Sequence, residues 1–218
     1  MSGQTAHPVR VKICGLTSIE AAQQAADAGA DYLGLNLFAP SARSVPVDTA
    51  RQIAEAVSGV THVALMVNPD DALVDAASFA DLLQLHGAET PERVAEIRAR
   101  TGRPVMKVFG VRSAADLASI AGYTGVTDQL MVDAKPPEGD KIPGGHGVPF
   151  DWRLIARRDW PLPWMLAGGL TPDNVAEAIR LTGATQVDVA SGVEESPGIK
   201  DAVKVRDFIT AATHGRIS

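Results

Sequence analysis

Cysteine occurs once in the 218 residues, at Cys14, so no disulfide can form within the chain, and a reducing cytoplasmic compartment is expected. No apolar run approaches the roughly 20 residues that cross a bilayer, and residues 1–10 are polar, without the apolar centre of a signal peptide. The 20 Lys and Arg against 26 Asp and Glu give a net charge of −6, the opposite of the basic balance that a nucleic-acid-binding surface normally needs. There is no set of His, Cys and carboxylates at metal-ligand spacing, and no linker or low-complexity segment to mark a domain boundary. These absences describe one domain over residues 1–218 with no metal, no nucleic-acid partner and no membrane association. An anionic small ligand stays open, because backbone N–H groups bind phosphate locally whatever the total charge.

What is present is a core-forming composition, 45% hydrophobic and 21% charged, of the kind ordinary α/β domains carry. The first apolar run, Val11–Cys14, ends in the thiol and is followed at once by Gly15, a strand meeting an abrupt turn. Thr17 with Glu20 has the spacing of a capping box and predicts the start of a helix, whose stripe of Ile19, Ala22 and Ala26 ends at Gly29. Further apolar runs follow at Tyr32–Leu37, His62–Val67, Leu82–His86, Pro104–Val111, Leu130–Lys135, Trp164–Ala167 and Gln186–Ala190. Helical patterns separate most of them. Ala50, Ile53, Ala54 and Val57 form one face, and Asp70–Phe79 and Ser113–Ala121 form others. Thr90 caps a helix opened by Pro91, Phe150–Arg158 reads as helical, Thr171 and Pro172 open another helix, and Lys200–Ala212 closes the chain. The long stretch Pro136–Pro149, with glycines at 139, 144, 145 and 147, is the one extended loop.

Eight strand–helix units of about 27 residues each (218 over eight) predict an α/β chain whose parallel strands are covered by helices. Eight such units close as a (β/α)8 TIM barrel. An open doubly wound sheet is the alternative, but Cys14-Gly15-Leu16-Thr17 is not the G-x-G-x-x-G that such sheets often carry after strand one.

In a barrel, the loops after all strands share one rim, where active sites are built. That rim would gather Cys14, Arg43, His86, Asp133, Gly168–Gly169, Asp188 and Ser191–Gly192. Alternation along the first strand puts Lys12 on the face of Cys14 and Val11 and Ile13 on the other. A lone buried cysteine is most often a small hydrophobe; at the carboxyl end of a barrel strand it is also a candidate base or nucleophile. Glycines after strands seven and eight suit a phosphate held by loop N–H groups, although simple turn chemistry would also explain them. Asp133 ends an apolar run, where partial burial would favour its neutral acid form for general acid work; otherwise it pairs with Lys135 or caps its loop. Asp188 faces away from Val187 and Val189, so it belongs either to the site or to a buried ion pair. Arg43 has the planar fork that suits a substrate carboxylate, or it is a solvated loop arginine. His86, at the end of strand four, reads as a core histidine without a catalytic role.

Taken together, Val11-Lys12-Ile13-Cys14-Gly15-Leu16-Thr17, Ser41-Ala42-Arg43, Gln84-Leu85-His86-Gly87, Val132-Asp133-Ala134-Lys135, Phe150-Asp151-Trp152, Ala167-Gly168-Gly169-Leu170, Asn174-Val175, Val187-Asp188-Val189-Ala190-Ser191-Gly192-Val193-Glu194 and Pro197-Gly198 resemble, in order, the motifs of phosphoribosylanthranilate isomerases. The resemblance runs from strand one to Asp201. It implies a (β/α)8 barrel of tryptophan biosynthesis that converts N-(5'-phosphoribosyl)anthranilate to a carboxyphenylamino-deoxyribulose phosphate by an Amadori rearrangement, with no cofactor. By the same resemblance Cys14 is the general base, Asp133 the general acid, and Arg43 the contact to the anthranilate carboxylate. Asp188 is expected to bind substrate, and Gly168, Gly169, Ser191 and Gly192 to bind its phosphate. Lys12 would favour the Cys14 thiolate. The expected partner is a small phosphosugar, and the expected assembly a monomer or homodimer.

Overall fold

A computed structural model describes residues 9–135, 151–156 and 158–214. Eight parallel strands hydrogen-bond in sequence order into a closed barrel: β1 Arg10–Cys14, β2 Tyr32–Asn36, β3 Thr61–Met66, β4 Leu82–Leu85, β5 Val105–Val111, β6 Gln129–Ala134, β7 Trp164–Leu166 and β8 Gln186–Val189. The barrel closes between β1 and β8, where Lys12 pairs in register with Asp188. The helices between strands are α1 Ile19–Asp27, α2 Val47–Ala56, α3 Asp71–Ala76, α4 Pro91–Thr101, α5 Val175–Thr182 and α6 Ala202–His214. After β8, a 3-10 turn, Ser191–Val193, leads into an antiparallel hairpin of β9 Glu194–Ser196 and β10 Ile199–Lys200.

Strand alternation divides the core in two. Val11, Ile13, Leu33, Leu83, Leu85, Leu130, Val132, Val187 and Val189 face outward and pack with the helices. Tyr32, Val63, Leu82, Met106, Val108, Met131, Met165 and Ala167 face inward and fill the barrel. The inward set is short of large apolar residues at the carboxyl ends of β1, β6 and β8, where Lys12, Cys14, Asp133 and Asp188 stand instead. That difference makes this rim chemically capable.

Some local expectations need correcting. The cap of α1 is Ser18, not Thr17: Ser18 is extended and its hydroxyl accepts from the Ala21 N–H, while the Thr17 hydroxyl donates to Gly198 O at 3.0 Å. The stretch from Thr171 does not yet form a helix. The Asn174 side chain accepts from the Thr171 N–H and donates to Gly169 O, tying up the turn, and α5 begins at Val175. The Ser113–Ala121 stretch is a 3-10 helix, Ala114–Tyr123, with a Ser113–Asp116 capping box. Within Phe150–Arg158, the described residues form only the 3-10 turn Trp152–Leu154, started by Asp151. The Pro136–Pro149 loop lies outside the described residues. Thr90 and Pro91 do begin α4, which Gly102 ends in the left-handed conformation at φ 63°.

Candidate active site

Cys14 is the last residue of β1, and its partner across the ladder is Gly34 of β2. A side chain at Gly34 would put a Cβ 2.8 Å from Cys14 Sγ and 2.9 Å from Lys12 Nζ. The missing side chain is what lets the thiol and the ammonium meet. Lys12 is wholly buried, and its ammonium donates to Asp188 Oδ1 at 2.8 Å across the barrel seam. Burial alone would drive Lys12 towards its neutral form, but the charges of Asp188 and Cys14 outweigh it and hold the ammonium above the ordinary lysine range. Burial pushes the Cys14 thiol up, the Lys12 ammonium pulls it down and Asp188 pushes it up again, leaving the thiol above its ordinary range. Lys12 thus favours the thiolate, as the shared strand face suggested, but desolvation is the larger effect.

Arg43 reaches the same region from the loop after β2. Asn36, ending β2, shapes that loop: its amide donates to Ser41 Oγ and its carbonyl oxygen accepts from the Phe38 N–H, while Ser41 Oγ accepts from the Arg43 N–H. Gly15, at φ 77°, leaves room for the arginine stem, since a Cβ there would stand 2.7 Å from Arg43 Cδ. The guanidinium is not a solvated surface group. Its Nε and Nη2 each donate to a Glu194 carboxylate oxygen at 2.8 Å, and Lys200 donates to Glu194 Oε1 at the same distance. Glu194 ends one of the recognisable motifs, but its partnership with Arg43, 151 positions away, is a contact that only the folded chain makes, and Lys200 joins it from outside those motifs.

On the other side of the mouth, Asp133 is the last residue but one of β6 and points inward. Its Oδ1 accepts from the Ala134 N–H at 2.8 Å, and its Oδ2 lies 3.3 Å from His86 Nε2. Lys135 is not its partner: that side chain turns outward to Asp116 at 2.8 Å. His86 has a partner on each side of its ring, since its Nδ1 lies 3.5 Å from the amide of Gln84. Behind this strand end, a buried pair, Lys107 and Glu89 at 2.9 Å, fastens the loop that carries His86. Lys107 also donates to Leu85 O and Gly87 O, and Glu89 accepts from the Asn68 and Gly87 N–H groups.

The glycines after β7 and β8 converge. Gly168 and Gly169 have φ of 90° and 66°, two consecutive left-handed residues of the kind that glycine adopts freely. A Cβ at Gly168 would meet the Ala134 backbone and stand 3.1 Å from Asp133 Oδ1, so this turn closes directly onto the carboxylate. Gly192 packs against Leu170 O, leaving no room for a side chain between the two loops. The Asp188 carboxylate is engaged with Lys12 between these loops and Cys14. Among the described residues, no three His, Cys, Asp or Glu side chains gather as a metal site, and no helix is long and apolar enough to cross a membrane.

The family model for N-(5'-phosphoribosyl)anthranilate (PRA) isomerase matches residues 11–211. The N-(5'-phosphoribosyl)anthranilate isomerase of Paramagnetospirillum magneticum is 56% identical over 213 residues, covering 96% of this chain and 99% of that protein. The protein of the same name from a Ruegeria species is 57% identical over 209 residues, covering 94% and 97%. Among solved structures, phosphoribosyl anthranilate isomerase from Thermotoga maritima superposes with a TM-score of 0.84 at 35% identity, over 94% of this chain and 98% of that one. A phosphoribosyl anthranilate isomerase in complex with reduced 1-(o-carboxyphenylamino)-1-deoxyribulose 5-phosphate gives a TM-score of 0.81 at 33% identity, with the same coverage.

Proposed function

The chain belongs to the N-(5'-phosphoribosyl)anthranilate isomerase family, and from that premise we propose how its residues divide the work, with Cys14 as general base and Asp133 as general acid. The activity is isomerisation of the phosphoribosylanthranilate in tryptophan biosynthesis. The observation that carries the proposed division is the pairing of an inward thiol with a wholly buried ammonium at the end of β1, and of an inward carboxyl with His86 at the end of β6.

Asp133, as the general acid, gives a proton to the furanose ring oxygen as the C1–O bond breaks, and the anthranilate nitrogen supplies the electrons that form the iminium. The iminium acidifies the C2 proton. Cys14 removes it as thiolate, with Lys12 neutralising the charge before and the Asp188 carboxylate holding Lys12 in place. The enolamine then tautomerises to the ketone, so one proton is given, one is taken and no electrons leave the substrate. Such proton transfers contribute about 10²–10⁴-fold each. The two groups stand on strands with β7 and β8 between them, which suits an acid and a base that address different atoms of one sugar.

Arg43 binds the anthranilate carboxylate through Nη1, the edge that is left over from Glu194 among the described residues. Gly168, Gly169, Ser191 and Gly192 bind the phosphate through backbone N–H groups. Asp188 serves the substrate through Lys12. The bound compound of the related complex carries both a carboxyphenyl ring and a phosphate, which supports a site with these two ends. The protein works in the cytoplasm, as one barrel domain, and as a monomer or a homodimer; a Thermotoga maritima relative is described as dimeric.

The test is turnover of N-(5'-phosphoribosyl)anthranilate by the purified chain, followed by loss of substrate fluorescence, with a histidine-pathway phosphosugar as the second arm. Turnover of the first substrate is expected. Binding without turnover would leave a phosphosugar-binding module instead.

A further inference from the structure

Glu194 is oversubscribed. The Arg43 fork already engages both of its oxygens at 2.8 Å, yet Lys200, with its side chain 4% exposed, comes to 2.8 Å from one of those oxygens. Burial is the largest single effect on Glu194 and pushes it up, but Arg43 and Lys200 together outweigh it and hold the carboxylate below its ordinary range. For Lys200 itself burial is the largest effect and pulls it below the ordinary lysine range, with Glu194 and Cys14 pulling back. A second buried cation on an already satisfied carboxylate costs desolvation and gives little stability in return.

Its placement is nonetheless rigid. Lys200 also donates to Ala190 O at 3.0 Å, at the end of β8. The hairpin that carries it is pinned to the loops after β1 and β2: Thr17 donates to Gly198 O, and Gly198, at φ 86°, lies so close to Ala42 O that a Cβ would stand 2.7 Å from it. The hairpin therefore sits against the loop that bears Arg43.

Charge counting gives the reason. An arginine locked onto a glutamate is a neutral pair, and a neutral pair has little to offer an incoming carboxylate. Adding Lys200 makes the cluster +1, which a single carboxylate brings to zero. We propose that Lys200 is a specificity-determining residue for the aromatic carboxylate of the substrate, supplying the positive charge that Glu194 takes from Arg43. This rests on the reading of Arg43 as the carboxylate contact. An arriving carboxylate acts on Lys200 in the same sense as Glu194, keeping it protonated in the complex.

The experiment measures dissociation constants of two ligands, reduced 1-(2-carboxyphenylamino)-1-deoxyribulose 5-phosphate and its phenylamino counterpart without the ring carboxylate. The ratio of the two constants is the carboxylate discrimination, and the second ligand also reports whether each variant keeps its fold. Lys200→Met should lower the discrimination by at least roughly tenfold, the scale of one unit charge a few ångströms away at an effective dielectric near 20. Glu194→Gln keeps the shape and hydrogen-bonding oxygen but removes the negative charge, so it should raise the discrimination. The double variant, again +1, should return it towards that of the parent chain. A Lys200 with a purely structural role would weaken both ligands alike, and the double variant would not restore the ratio; either result overturns the proposal. If Lys200→Met does not fold, Glu194→Gln alone decides, because an unchanged or lower discrimination there contradicts the charge count. Arg43→Ala separates the premise from the proposal. Discrimination that survives Arg43→Ala places the carboxylate elsewhere; discrimination lost there but intact in Lys200→Met sinks only the role of Lys200.

Discussion

His86 Nε2 stands 3.3 Å from Asp133 Oδ2, joining the end of β4 to the end of β6 across the intervening β5. The Gln84 amide, two residues before His86 on the same strand face, approaches the other ring nitrogen at 3.5 Å. The Asp133 carboxyl is therefore held from two sides, by the backbone at Ala134 and by an imidazole that is itself steered from below. Asp133→Asn keeps the shape but has no proton to transfer, so kcat should fall by at least about 100-fold, the lower bound for general acid catalysis. His86→Asn should cost less, about 0.5–1.5 kcal/mol for an ordinary hydrogen bond, or about two- to tenfold in kcat with KM little changed. Steady-state kinetics of the two variants check both. An Asp133→Asn enzyme within a few-fold of the parent would remove Asp133 from the mechanism.

Gly34 makes the second prediction. A methyl group at this position meets the Cys14 sulfur, the Cys14 Cα and the Lys12 ammonium all inside 3.0 Å. Gly34→Ala must therefore spread β1 from β2 or displace the thiol. Overpacking of this kind costs about 1–3 kcal/mol of stability, and misplacing a reacting group by about 1 Å can cost about 10²-fold in rate. The thermal midpoint and kcat together read the two effects. An alanine variant with parental kcat would show that the thiol and ammonium need not be in contact.

How much of this was legible in the residue order depends on how local each signal is. The eight strands were readable because parallel strands covered on both faces are continuous apolar runs, and the interruptions at Lys12, Asp133 and Asp188 marked the inward, carboxyl-end positions. The starts of α1 and α5 differ from those the side chains predict. Thr17 and Thr171 have the right side chains for caps, but Thr17 is taken by Gly198 O and the turn at Thr171 by Asn174, contacts that depend on the folded chain. The partnerships of Arg43 with Glu194 and of Asp133 with His86 were hidden for the same reason. A charged residue in a loop looks solvated until the residue that buries it is known. The ring carboxylate contact, the phosphate contacts and the acid and base roles rest on family resemblance together with geometry; periodicity carried none of them.

The third prediction concerns pH. Burial raises the Cys14 thiol above its ordinary range, so the thiolate fraction increases as pH rises through that elevated value, and kcat/KM should climb on an alkaline limb with its midpoint above that of a free thiol, about 8.5. The same shift acts on stability. The folded chain holds the Cys14 proton more tightly than the unfolded chain does, so this contribution is complete below the unfolded thiol value and is lost as pH rises towards the folded one. Lys12→Met removes the cation that opposes the rise, so the limb should move to still higher pH. It should also destabilise the fold by about 3–5 kcal/mol, because Asp188 is left buried without its partner. A Lys12→Met/Asp188→Asn variant removes both charges and should recover much of that stability. The pH profile of kcat/KM and thermal melts across the same range provide the check; a limb at or below the free-thiol value would contradict the burial argument.

The mechanism proposed here turns on Cys14 as its base, and the most direct measurement is the turnover number of Cys14→Ser. Serine is close to cysteine in size and should leave the barrel folded, which the thermal midpoint would register. Its hydroxyl is far harder to ionise than a thiol, even beside the Lys12 ammonium, so it cannot serve as the base that takes the C2 proton. Turnover should fall by at least about 100-fold while the midpoint changes little. Turnover close to that of the parent chain would contradict the assignment, return Cys14 to a packing role and leave the proton abstraction without its base.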